Sequence, residues 1–563
     1  MTLDRLSTCF LLVFCGLSAL PPPILTAGEI TGSIVDATSG EAIPARLSVS
    51  SADGKTWYLA TSTGREGLAA AIPYDKRRGE KSVEVHTALS ADPFLIADLP
   101  PGSYRLTATR GHEYRPAVVE ITLPESGKLD HPVELKLDRW IHLAERGWFS
   151  GDVHCHLPSE GLKTVLLAAD LNVTFPLAAW VTDTAHKPSE NNKLKEAWPR
   201  PNLQFADNTH VFWPANTEYE LFTREGEKHP LGAVLAIRHR EPLDVTVPPV
   251  GPIIEKTRDQ GALFDLDKHN WPWSMMLPAI GAADLFELTN NHVWETAFGV
   301  TNWYTEYIPD YMNIPVSDDG KIDERGWLDF GFQNWYALLN CGIRIAPSAG
   351  TGSGVHPVAL GFGRVYVRMP EREFDFNEWV DGLKLGRSFV TTGPMLFLTA
   401  NEKHPGSTVE WNPKSDEAKG SEEESDGIPV IVRVESEHPI ESMELVVNGD
   451  LIPLEIGGSI GTKAAHSTMA RVRVNIERSS WIAARVFTKT AEGRPRFAHT
   501  APVWIQVEGK PLRPKLLEAN YLLERVEAEI KRHENKLSKE ALAEFEKAAD
   551  YYREQKERAV DEK

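Results

Sequence analysis

Cysteine is scarce in this 563-residue chain, with four in all, at Cys9, Cys15, Cys155 and Cys341. No two form a C-x-x-C pair, so a structural zinc site of that kind has no ligands. A disulfide framework is likewise excluded, and a chain this long must rely on the size of its cores. Positive charge is in deficit too. The formal net charge is −20, which lacks the basic footprint that nucleic-acid binding requires. Beyond the N-terminus no apolar run is long enough to cross a bilayer, so no transmembrane anchor is expected.

The one early apolar run, Cys9 to Leu20, is itself too short to span. Arg5 precedes it, and Pro21-Pro22-Pro23 and the small exit Thr26-Ala27 follow. That order reads as a signal peptide over residues 1–27, and predicts an exported protein, periplasmic or extracellular. Cleavage there leaves only Cys155 and Cys341, expected to be buried free thiols.

What the chain does have is the composition of a globular protein, 42% apolar and 25% charged, over a length that calls for three or four domains. Residues 28–139 alternate in short runs such as Arg46-Leu47-Ser48-Val49 and Val118-Val119-Glu120-Ile121, divided by Gly, Pro, Asp and Ser. This predicts a β-sandwich. Residues 140–400 alternate strand-like runs with helix-like ones, for instance Val234 to Ile237 and then Trp335 to Asn340, and predict an α/β domain. Residues 401–426 are polar, with Glu422-Glu423-Glu424, and read as a linker. Residues 427–508 return to β alternation, a second sandwich. Residues 509–563 have helical spacing, with a break and restart at Leu537-Ser538-Lys539-Glu540. This tail either packs back on the body or mediates self-association.

Chemistry-bearing residues follow the apolar strands of the middle domain. After Trp148-Phe149 comes Asp152-Val153-His154-Cys155-His156, and strand alternation puts Asp152, His154 and His156 on one face. Glu218-Tyr219-Glu220 follows Val211-Phe212-Trp213. Asp265-Leu266-Asp267-Lys268-His269 follows Ala262-Leu263-Phe264. Glu287 to His292 follows Leu285-Phe286, and Ser348 to His356 follows Ile343-Arg344-Ile345. Imidazoles and carboxylates gathered at strand ends suit a divalent zinc, manganese or iron ion. Asp152, His154 and His156 are read as a metal cradle, and the acids and histidines of the other four runs as metal-competent. Asp183, Asp267 and Glu220 are general bases where they are not ligands.

The run Gly350-x-Gly352-x-Gly354, with Ser348, Thr351, Ser353 and His356, has two readings. One is a nest of backbone N–H groups for an anion or oxyanion; the other is a plain turn. Twelve of the 16 tryptophans fall between Trp140 and Trp379. Most are expected in the core, and the remainder suit a small-molecule or glycan-like substrate.

Two stretches carry family resemblances. Ile30 to Arg46 and Leu99-Pro-Pro-Gly-Ser-Tyr-Arg-Leu-Thr-Ala108 resemble the carboxypeptidase-regulatory-like β-sandwich. Asp152-Val-His-Cys-His156 resembles the first motif of the PHP (polymerase and histidinol phosphatase) superfamily, and residues 140–400 look like its CehA/McbA-type metallohydrolases. Leu266-Asp-Lys, Thr289-Asn-Asn-His292 and Leu338 to Gly350 look like one bacterial branch of that group. The resemblance implies a distorted (β/α) barrel and an ester-like substrate bond: phosphoester, carboxylic ester, carbamate or amide. It implies one to three divalent ions, with Glu218 or Glu220 as a bridging carboxylate and His292 as a later ligand. The chain departs from the family pattern in three places. Thr182-Asp183 is followed by Thr184, Leu266-Asp267-Lys268 replaces a histidine-proline element, and Gly354-Val355-His356 stands where Asp-x-His is usual. One or two ions fit these departures better than three. The alternative is a non-catalytic envelope protein that binds a glycan or other ligand on a degenerate hydrolase scaffold.

Overall fold

Alternation lays out the first module. Along the strand Gly102–Thr109, Tyr104, Leu106 and Ala108 are buried while Ser103 and Arg105 are exposed. A five-stranded and a six-stranded sheet face each other here, burying Ile30, Leu47, Leu106 and Leu135 in one core. The computed structural model describes residues 27–62, 71–78, 82–190, 198–413 and 427–560. The expected signal peptide, apart from Ala27, and the acidic stretch 414–426 lie outside the described residues.

The whole is a multidomain, mostly β protein with seven α-helices among the described residues. In the middle of the chain a six-stranded sheet runs in the order Ala179–Asp183, Thr217–Arg224, Glu227–Ile237, Leu263–Leu266, Leu285–Thr289, Ala346–Ala349. Helices Gly251–Asp259, Trp273–Ala279 and Glu324–Asn340 connect its later strands. The sheet is mixed. Thr217–Arg224 and Glu227–Ile237 form an antiparallel hairpin, turned at Glu225 and Gly226, which both take positive φ. Leu263–Leu266 is antiparallel to that hairpin, and parallel pairing resumes only with Leu285–Thr289 and Ala346–Ala349.

The strand that carries His154 and ends just before His156, Trp148–Cys155, belongs to a different sheet, of twelve strands, between Val173–Pro176 and Arg364–Arg368. The two sheets meet at a seam. There Gly352 donates to the carbonyl of His154 at 2.8 Å, and His156 donates to that of Ser353 at 2.8 Å. Among the described residues these strands form two open sheets joined by a few bonds, with no closed barrel.

The twelve-stranded sheet runs on from Arg364–Arg368 through Ser388–Thr391 into Pro495–Thr500, Ser480–Lys489 and Ile440–Val447. A three-stranded sheet, Met395–Ala400, Ile428–Ser436 and His466–Val474, packs on this far half around Leu396, Val432, Leu445 and Val486. Met395–Ala400, taken from the sequence as the end of the middle domain, therefore pairs inside the second sandwich. Part of the expected linker is strand as well, since Thr408–Glu410 pairs with Val503–Gln506.

The tail forms helices Leu516–His533 and Lys539–Arg558, the second capped by the Ser538 hydroxyl. Both lie against the middle domain. Tyr552 donates to the Met275 carbonyl at 2.7 Å, and Arg525 donates to that of Asn270 at 3.2 Å. No described helix is long and apolar enough to cross a membrane.

Candidate metal centre

The histidine strand enters the seam end-on, and its alternation does the first work. Cys155 turns away into an apolar cluster with Leu162, Leu166 and Phe212. His154 and His156 turn the other way, their Nε2 atoms 3.0 Å apart. The hairpin strand Thr217–Arg224 brings Glu218 to both. Its carboxylate lies 3.4 Å from His154 Nε2 and 3.2 Å from His156 Nε2. Neither Glu218 oxygen receives a hydrogen bond, although the side chain is completely buried. Two imidazole nitrogens and a buried carboxylate converging on one point form a candidate ligand set.

On the other edge of His154, Nδ1 faces Glu287 at 3.2 Å and Asp267 at 3.6 Å. Parallel pairing of Leu263–Leu266 with Leu285–Thr289 sets these two acids side by side. A metal-binding histidine commonly turns its second ring nitrogen toward a carboxylate, which fixes its tautomer and orientation. Glu287 and Asp267 are placed for that role. Gly350 makes the approach feasible, because a Cβ there would sit 2.3 Å from both Glu287 Oε1 and the His154 Cβ.

The centre is heavily acidic. Glu218, Glu220, Asp265, Asp267 and Glu287 are all buried, against a single lysine, Lys268, and the two histidines. Burial opposes charge on His154, yet Glu287, Glu218 and Asp267 together push its pKa well above the usual imidazole value. Burial raises Asp265 to about 7 despite a 2.7 Å bond from the Ser348 hydroxyl. Burial also raises Glu220 to about 7, with Lys268 opposing. Such a concentration of buried negative charge is costly without a counter-cation. Glu218, Glu287 and Asp267 all keep oxygens without hydrogen-bond donors. The residues present therefore fit a divalent cation.

Lys268 answers part of that charge. Its ammonium bonds Asp267 directly and lies 3.3 Å from Glu220 Oε1. The other Glu220 oxygen accepts from Trp180 Nε1 at 3.1 Å, and the Trp180 ring stands edge-on to His156 at 5.1 Å. Trp180 is the half-buried residue over this end of the centre.

Several residues read from the sequence as functional are placed elsewhere or otherwise engaged. Asp152 is not among the groups that could hold an ion. Its carboxylate accepts from the Thr351 hydroxyl at 2.6 Å, Gly361 N at 2.9 Å, Thr351 N at 3.1 Å and His154 N at 3.2 Å. Asp183 is likewise engaged, accepting from Ala185 N, Gly226 N and the Thr223 hydroxyl, so it clasps a turn. His292 stands back from the converging atoms, its ring 4.9 Å from Trp303 and 6.0 Å from His356. Burial keeps its pKa well below the usual imidazole value.

The glycine loop is no anion nest. Its N–H groups all have protein acceptors: Gly350 on Thr289 O, Thr351 on Asp152, Gly352 on His154 O, Ser353 on the Thr351 hydroxyl, and Gly354 on the Tyr74 hydroxyl. Glu287, Asp265, Lys268 and Trp180 complete the centre and were not singled out as site residues from the sequence. Glu287 carried the same signal as the others, an acid ending an apolar strand.

Compared with protein-family models, curated proteins and solved structures, the chain matches none.

Proposed function

We propose that the protein is an exported metal-dependent hydrolase acting on an ester-like bond of a small substrate. One observation carries this reading: His154 Nε2, His156 Nε2 and a Glu218 carboxylate without hydrogen-bond donors converge in a buried, acid-rich centre. These three residues would hold the ion, with Glu287 and Asp267 orienting His154 from its far side. A divalent zinc, manganese or iron ion supplies Lewis acidity to a water or substrate oxygen. Glu220, beside Glu218, takes the proton; its pKa of about 7 suits a base working near neutrality. Trp180 holds Glu220 in place and limits solvent access. The PHP-like reading of the middle domain agrees with this arrangement, in which histidines and acids from separate strand ends meet at one point.

The test is the metal content of the purified mature protein beside a His154→Ala/His156→Ala double variant. About one equivalent of zinc, manganese or iron in the parent, lost in the variant, supports the centre and justifies screening phosphoesters, carboxylic esters, carbamates and amides. Metal-free parent protein, even after reconstitution, removes the hydrolase and leaves the ligand-binding alternative.

A further inference from the structure

Three groups of buried side chains bring potential ligand atoms together in this centre. They are His154, His156 and Glu218; His154, Asp267 and Glu287; and Glu218, Glu220 and Asp267. The first is the ligand set argued above, and the second shares His154 through its other nitrogen. The third is made wholly of carboxylates. It shares Glu218 with the first, so a cation there would be bridged to the metal ion by one carboxylate. In a two-metal hydrolase a position of this kind holds the second ion.

Here that position is not open. Lys268 directs its ammonium at two of the three carboxylates, bonding Asp267 and lying 3.3 Å from Glu220. The backbone leaves it little alternative. Lys268 follows directly on Leu263–Leu266 and Asp267, its carbonyl is held by the Ser274 hydroxyl, and its side chain is 1% exposed. We infer that the Lys268 ammonium is a built-in cation occupying the place a second metal ion would take beside the His154–His156–Glu218 centre. The inference rests on the metal-centre reading above and deepens it: the centre holds one exchangeable ion and one covalently tethered positive charge.

Two consequences follow from the chemistry. The tethered cation cannot be removed by a chelator, so one of the three positive charges that a divalent ion and the ammonium would supply together survives metal stripping. An ammonium also presents a point charge with N–H donors, and no open coordination position. It stabilises negative charge developing on a substrate oxygen without itself binding a water as a metal would.

The experiment loads the full-length mature protein with Mn2+ alone and reads stoichiometry by elemental analysis and the spin state by electron paramagnetic resonance. Wild type is expected to take one equivalent and to give the six-line spectrum of an isolated ion. Lys268→Ala, which uncovers Glu218, Glu220 and Asp267, is expected to take two equivalents and to give a spin-coupled pair. Lys268→Arg, which keeps the charge, is expected to stay at one. Where Lys268→Ala does not fold without metal, recovery of its circular dichroism on titration with Mn2+ supplies the count, with the endpoint again at two. No added ion in Lys268→Ala overturns the inference, and so does a second ion in the wild type. Absence of any ion from the wild type is a different failure, because it removes the metal centre itself.

Discussion

The carboxylate of Asp152 and the hydroxyl of Thr351, 199 residues apart in the chain, lie 2.6 Å apart and fasten the histidine strand to the glycine loop. With Gly361 N, Thr351 N and His154 N on the same carboxylate, this contact sets the angle at which His154 enters the centre. Asp152 is thereby a clasp. Thr351→Val removes one donor and is expected to cost about 1–3 kcal/mol of stability while the metal content stays unchanged. Urea unfolding and elemental analysis of the same sample decide it. Loss of metal at full stability would show that the clasp serves to aim His154 rather than to hold the fold together.

Glu287 is expected to act on the metal through His154. Glu287→Gln keeps the shape and removes the charge that faces His154 Nδ1, so metal affinity should fall roughly 10–100-fold. Glu218→Ala, which deletes a ligand, should fall further. Competition against a chromophoric chelator measures both. Equal affinity in wild type and Glu287→Gln would place that carboxylate outside the centre's influence.

Between the first sandwich and the middle domain, Asp170 accepts from Arg110 and Arg139, each at 2.7 Å, with His210 at 3.7 Å. Burial opposes its charge, but Arg110, His210 and Arg139 hold its pKa well below the usual carboxylate value. Its stabilisation is therefore present above pH 3.8 and is lost as pH falls through the depressed folded value. His210 runs the opposite way. Burial opposes its charge while Asp170 and Asp207 raise its pKa, so its contribution is full below pH 6.5 and fades as pH rises through the folded value. The cluster should stabilise most between those limits. Asp170→Ala is expected to cost about 3 kcal/mol, because it leaves the buried Arg110 without its carboxylate, whereas Arg139 keeps Glu113 at 3.3 Å. His210→Gln is expected to flatten the alkaline decline in the urea midpoint, and an unchanged pH profile in that variant would refute the assignment.

One acid of the tail caps a helix of the middle domain. Glu544 accepts from Val250 N at 2.8 Å and Gly251 N at 2.6 Å, capping the helix Gly251–Asp259 from a distant part of the chain. Glu544→Ala should cost about 1–2 kcal/mol and speed hydrogen exchange at those two amides. Undiminished protection there would mean that Glu544 does not cap this helix.

Strand-end polar residues made much of the centre legible from the sequence. His154 and His156 face one way because strand side chains alternate, and Glu218 and Glu220 do the same on the hairpin. Alternation says which face a side chain takes, however, and not what reaches it first. Asp152 and Asp183 lie on suitable strands, yet backbone N–H groups from loops far along the chain claim their oxygens. Glu287 gains its importance only from its lateral neighbour Asp267, which depends on sheet register. The glycines at 350–354 suggested an anion site, whereas Gly350 is required by the close approach of Glu287 and His154. Strand–helix alternation gave an α/β domain and the family resemblance a distorted barrel; neither marks the antiparallel hairpin at Glu225-Gly226.

The twelve-stranded sheet has a consequence for the order in which the chain matures. The histidine strand is flanked by Arg364–Arg368, that strand by Ser388–Thr391, and that one in turn by Pro495–Thr500. A ribosome releases His154 and His156 long before any of these neighbours exist. The candidate metal pocket thus cannot close during early synthesis, and a fragment ending near residue 400 would expose a raw strand edge at Ser388–Thr391. The histidine strand finds Val173–Pro176 early, but its other edge waits for Arg364–Arg368.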